Sequence, residues 1–163
     1  MSRNILRLPL LTTAAEIVLG ITDFVFAFIV VRITSEWTPE MGILSFYIRL
    51  ILSVVIFVII GMLMRKSSDR KTIVKSTTLL VSYSIIVFAI EQITKHFGIY
   101  SLNIIWLYLP VGMFQVITSA LIRLSTAETI NWTYAIPSLF APFLFVLFSK
   151  KNANSDLIST IHR

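Results

Sequence analysis

The chain has 163 residues, 56% of them apolar and only 13% charged, with a mean hydropathy of +0.87. Soluble domains carry about a quarter charged residues, so the missing charge excludes an ordinary soluble domain and points to an all-α, polytopic membrane protein. The chain has no cysteine, which removes disulfides, thiol catalysis and thiolate-bound metals together, and its net charge of +6 is no nucleic-acid signal, because the basic residues cluster beside apolar segments where they set topology and meet anionic lipid.

Five apolar segments are expected to cross the membrane, at about 8–33, 41–64, 73–97, 102–122 and 132–149, followed by a polar tail at 150–163. Each is near the ~20 residues a spanning helix needs. The connections are too short to fold as soluble domains, so the chain reads as a single membrane domain, a bundle of about five transmembrane helices.

The first segment follows Arg3 and Arg7, but its apolar run to Val31 exceeds the roughly 7–15-residue core of a signal peptide, so it reads as a retained helix. It carries Glu16 and Asp23. Seven residues is nearly two helical turns, so both carboxylates share one face, about 10 Å apart along the axis. Charged groups in spanning helices face protein or water and not lipid. Thr12, Thr13, Gly20 and Thr22 add small or polar surface to the same helix.

The second segment holds Arg49, a short way in from its start, and leads into MRKSSDRKTIVK (64–75). Arg65, Lys66, Arg70, Lys71 and Lys75 make this the densest basic cluster in the chain. The positive-inside rule places it, and with it the amino terminus, in the cytoplasm. The third segment carries Glu91 near its far end. Antiparallel helices bring Arg49 and Glu91 to similar depth, so an Arg49–Glu91 ion pair is expected, with Asp23 the alternative partner for Arg49.

Gln115, Thr118 and Ser119 share one face of the fourth segment, either as helix packing or as the lining of a cavity opposite Asp23. Pro110 and Gly112 could open its backbone as broken helices do in transporters. Pro137 and Pro142 interrupt the fifth segment. Five crossings put the carboxyl terminus outside, against the preference of Lys150 and Lys151 for the cytoplasm. Trp37, Tyr100, Trp106, Trp132 and Tyr134 lie near segment ends, as interfacial aromatics do.

His96 and His162 lack the spacing of a metal site. There is no phosphate-cradling glycine loop and no Gly-x-Ser-x-Gly nucleophile, so neither a metal, a cofactor nor an enzyme is expected. IEQITKHF (90–97) is superficially similar to the Asp-Gln-x-x-Lys stretch of lipoprotein signal peptidases, but it has Glu91 in the acid position and the chain lacks that family's Asn-x-Gly-Ala-Ala-Phe motif. The reading that fits best is an accessory or regulatory membrane protein that binds a membrane-protein partner, or a second copy of itself, within the bilayer. The alternative is a proton- or ion-coupled transporter component using the acids of the first helix, the polar set being Glu16, Asp23, Arg49, Glu91 and Gln115. The short loops and isoleucine-rich composition suggest a bacterial cytoplasmic membrane.

Overall fold

The computed structural model describes residues 4–98, 104–125 and 132–149. Three long helices dominate it: α1 (Arg7–Thr34), α2 (Pro39–Ser67) and α3 (Arg70–His96). They are rich in Ile and Val, which lose rotamer freedom in a helix. A segment in lipid must nevertheless satisfy its backbone internally, and a helix does so. Each is long and apolar enough to cross a membrane, and at about 40 Å each exceeds the ~30 Å hydrocarbon core. Their bounds lie within three residues of the first three expected segments.

The turns between them are tight. Ser35 adopts the left-handed conformation (φ 61°) and donates its backbone N–H to the Val31 carbonyl. Pro39 then opens α2, where its missing N–H costs nothing. Asp69 precedes α3, and a hydrogen bond from the Thr72 hydroxyl holds its carboxyl below the ordinary range. The helices run up, down and up. One end of the bundle, the basic end, carries Arg7, Arg65, Lys66, Arg70 and Lys71. There the Ser76 hydroxyl donates to the Ile5 carbonyl at 2.8 Å and ties the start of α3 to the start of α1. Thr34, Pro39 and His96 mark the distal end.

The fourth segment is not the continuous helix expected at 102–122. After α4 (Ile104–Leu107) the chain passes through three-residue turns, with Tyr108, Leu109 and Val111 donating to the carbonyls of Ile105, Trp106 and Tyr108. A 3₁₀ turn (Gly112–Phe114) follows, then α5 (Gln115–Leu124). Pro110 has no N–H to continue an α-helix, and the Leu107 carbonyl is satisfied by the Tyr83 hydroxyl at 2.7 Å. The chain then reverses. Val116 and Ile117 lie near Leu50, Ser53 and Val54 of α2, whereas the Arg123 guanidinium covers the Phe46 ring at 4.6 Å, about two turns nearer the distal end. Residues 104–124 thus form a hairpin whose two ends are distal and whose tip, Gly112–Phe114, reaches the middle of the bundle.

The last segment runs from a 3₁₀ turn (Trp132–Ala135) through α6 (Ile136–Phe140) into a 3₁₀ helix (Ala141–Phe148). Pro137 and Pro142 break the α-helical ladder here, replacing the regular helix expected at 132–149. Trp132 and Tyr134 lie beside Lys95 at the distal end. Phe148 packs against Phe57 and over Gly61, toward the basic end. A β-carbon at position 61 would lie 2.6 Å from that ring, so only glycine lets the two elements meet. Phe145 is fully buried, 4.5 Å from the Phe57 ring and 6.1 Å from that of Phe114. Leu8, Leu19, Ile60, Met64, Ile73 and Leu80 complete this core. Toward the distal end α1 has no buried residue beyond Leu19, and α2 none before Ser53. The expected tail, 150–163, lies outside the described residues.

Candidate functional site

Glu16 and Asp23 point from one face of α1 toward α2, where Arg49 meets both. The Arg49 guanidinium donates through Nη2 to Glu16 Oε1 at 2.6 Å and through Nη1 to Asp23 Oδ2. Counting along the helices places all three groups about 14–16 Å from the nearer helix end, in the middle of the apolar length. The expected Arg49–Glu91 pair does not form, because α2 packs along α1, whose carboxylates lie within the arginine's reach, whereas α3 packs mainly against residues 141–148.

Two carboxylates share one guanidinium, so the cluster has one acid more than it has bases. A buried ion pair tolerates its surroundings only when the remaining lone pairs are also met. Here they are not all met: Glu16 Oε2 is buried and has no hydrogen-bond partner among the described residues. Above it lies the tip of the hairpin. A β-carbon on Gly112 would stand 2.5 Å from the Glu16 carboxyl carbon and 2.8 Å from Oε1. The backbone therefore approaches the acid as closely as it does only because residue 112 is glycine. The side chains of Glu16, Arg49 and Asp23 remain 16, 23 and 30% exposed, so the cluster reaches the surface of the single chain.

Glu91 belongs to a second polar region. It pairs with Lys95 one turn along α3 at 2.7 Å and accepts a hydrogen bond from the Tyr108 hydroxyl. These groups border a cavity of about 300 Å³ at the distal end, walled by α3, both arms of the hairpin and residues 132–135. Gln115 and Thr118 line it too. Gln115 and Thr118 of the fourth segment's polar face thus share a cavity with Glu91 and not with Asp23, while Ser119 is exposed. Lys95, Tyr108 and Trp132 join this group without having been expected in it; the i, i+4 spacing of Glu91 and Lys95 is the signal in the sequence that points to it. The hairpin joins the two regions, with Tyr108 and Gln115 at the cavity and Gly112 on Glu16.

Arg65, Lys66, Arg70, Lys71 and Lys75 are all exposed at the basic end. Arg65 and Lys66 suit the last turn of α2, but Arg70 and Lys71 oppose the dipole at the start of α3, so helix stability does not explain them. Among the described residues, no three His, Asp or Glu side chains gather as metal ligands do. Comparison with protein-family models, curated proteins and solved structures finds no match to this chain.

Proposed function

We propose that this is a proton- or cation-coupled membrane protein of transport type, with Glu16 and Asp23 as the coupling acids. The observation that carries the reading is the arithmetic of the cluster: two carboxylates, one guanidinium and a buried oxygen on Glu16 without a partner among the described residues. One bound proton or small cation would neutralise it. Intramembrane acids in such surroundings are functional by default, and a broken helix pressed on the acid is the device by which transporters expose a midplane site. Arg49 holds both carboxylates in place by charge-assisted hydrogen bonds.

The same reading extends to topology. With the basic loop 64–75 in the cytoplasm of a bacterial cell, residues 104–124 form a re-entrant hairpin entered and left from outside. The thirteen-residue stretch 112–124 reaches only about 20 Å. Residues 132–148 cross instead: the 3₁₀ rise of ~2.0 Å per residue stretches them to about 30 Å, the thickness of the hydrocarbon core. Four crossings then return Lys150 and Lys151 to the cytoplasm and remove the conflict that five create.

Infrared titration of the carboxyl bands of the reconstituted protein tests the coupling role. The expected result is one carboxyl that takes up a proton across the physiological pH range, absent in Glu16→Gln or Asp23→Asn. A cluster that neither gains nor loses a proton there, and whose spectrum is indifferent to sodium or potassium, sinks the reading.

A second reading, an accessory protein clamped by a partner, is favoured by the distal halves of α1 and α2, which contain no buried residue, and by the partial exposure of a midplane charge cluster. Cross-linking in native membranes separates the two: full burial of Asp23 by another chain, without proton uptake, would favour the accessory role.

A further inference from the structure

We propose that the distal cavity binds a small zwitterion, an ammonium and an anionic group a few bonds apart, as in an α-amino acid or a phosphoethanolamine headgroup. The inference goes beyond the coupling role of the Glu16 cluster and rests on the cavity alone. Its volume of about 300 Å³ is at the lower limit of ligand pockets, so the occupant is small. Among the described residues its charged lining pairs one carboxylate, Glu91, with one ammonium, Lys95, at 2.7 Å. This pair offers both signs of charge side by side: a cation is drawn to Glu91 and repelled by Lys95, and an anion the reverse. A zwitterion laid antiparallel to the Glu91–Lys95 pair satisfies both at once, its ammonium at the carboxylate and its anionic group at Nζ.

The remaining wall suits this occupant. Each oxygen of Glu91 already accepts one bond, Oε1 from Lys95 and Oε2 from Tyr108, yet a carboxylate offers about four acceptor sites, leaving room for a ligand ammonium. The Gln115 amide supplies both a donor and an acceptor. Trp132, 59% exposed, stands among the lining residues with Tyr134, and an indole ring attracts an ammonium. Two of these groups, Tyr108 and Gln115, are on opposite arms of the hairpin whose tip rests on Glu16, so occupancy of the cavity braces that tip.

The test uses the full chain in phosphatidylglycerol nanodiscs, with Trp37→Phe and Trp106→Phe making Trp132 the reporter. Alanine and phosphoethanolamine are titrated as free solutes, and phosphatidylethanolamine is added to the discs in a separate arm. A saturable change in Trp132 emission is expected in at least one arm, weakened about tenfold by Glu91→Gln with Lys95→Gln. Gln115→Leu, which leaves the ion pair in place, supplies a second variant should the first fail to fold, and is expected to weaken binding as well. Response to the free solutes identifies a soluble ligand, and response to the lipid alone identifies a headgroup. No saturable response in either arm, an equal response to acetate or ethylamine, or binding indifferent to the folded variants overturns the proposal. Glu16→Gln is expected to retain zwitterion binding, so failure of the coupling role would be seen separately.

Discussion

Gly112 lies over Glu16 so closely that an added methyl group would stand 2.5 Å from the acid's carboxyl carbon. The close approach joins the tip of the hairpin to the charge cluster, and it can be tested by size alone. Gly112→Ala must displace either the hairpin or the carboxylate, and overpacking of this kind costs about 1–3 kcal/mol. Unfolding in mixed micelles measures the loss. Glu16→Asp, one methylene shorter, should destabilise less on the alanine background than on the wild type. Strictly additive losses would mean that the two residues do not press on each other.

Arg49 holds two acids, so its removal should be far more damaging than removal of the whole cluster. Arg49→Met leaves both carboxylates unpaired, a loss of about 3–5 kcal/mol that should ease as acid protonates them. The triple change Glu16→Gln, Asp23→Asn, Arg49→Met leaves no charge behind and should cost markedly less. Equilibrium unfolding at neutral and acidic pH checks both points. A triple variant as unstable as Arg49→Met would show that the residues matter through packing and not through charge.

The three long helices were legible because length, apolarity and a basic turn all agree between 7 and 96. The partner of Arg49 was not. Depth along the helices left Glu91 and Asp23 nearly equivalent, and only the packing of α1 on α2 decides between them. The hairpin was hidden for a different reason: residues 102–122 have the length and apolarity of a span. What turns the chain is local, the missing N–H of Pro110, together with two distant contacts, Gly112 on Glu16 and Arg123 on Phe46. Five crossings put Arg123 at the same end as the basic loop. Its contact with the Phe46 ring places it at the distal end of the bundle instead.

The irregular last segment should contribute to stability through its inward face only. Phe145 is fully buried among Phe57 and Phe114, whereas Leu147 is 79% exposed. Phe145→Ala should cost about 3–5 kcal/mol. Leu147→Ala removes a side chain that packs little against the rest of the protein and should stay within about 0.5 kcal/mol of wild type. Comparable losses at the two positions would argue against the 3₁₀ register of 141–148.

The absence of cysteine makes the topology directly measurable, since any thiol introduced will be the sole target of a membrane-impermeant maleimide. Ser35 lies in the turn between α1 and α2, and Ser68 in the turn between α2 and α3, so Ser35→Cys and Ser68→Cys define the two sides. Ser125 follows α5, and Ser149 follows the last 3₁₀ helix. A re-entrant hairpin requires Ser125→Cys to label with Ser35→Cys, from outside intact cells. A fourth and final crossing by residues 132–148 requires Ser149→Cys to label with Ser68→Cys, only after the membrane is opened. Five crossings invert both results. Labelling of Ser125→Cys from the cytoplasm would place Arg123 there as well, which the Arg123–Phe46 contact does not permit, and the hairpin would have to be abandoned together with the midplane role of its tip.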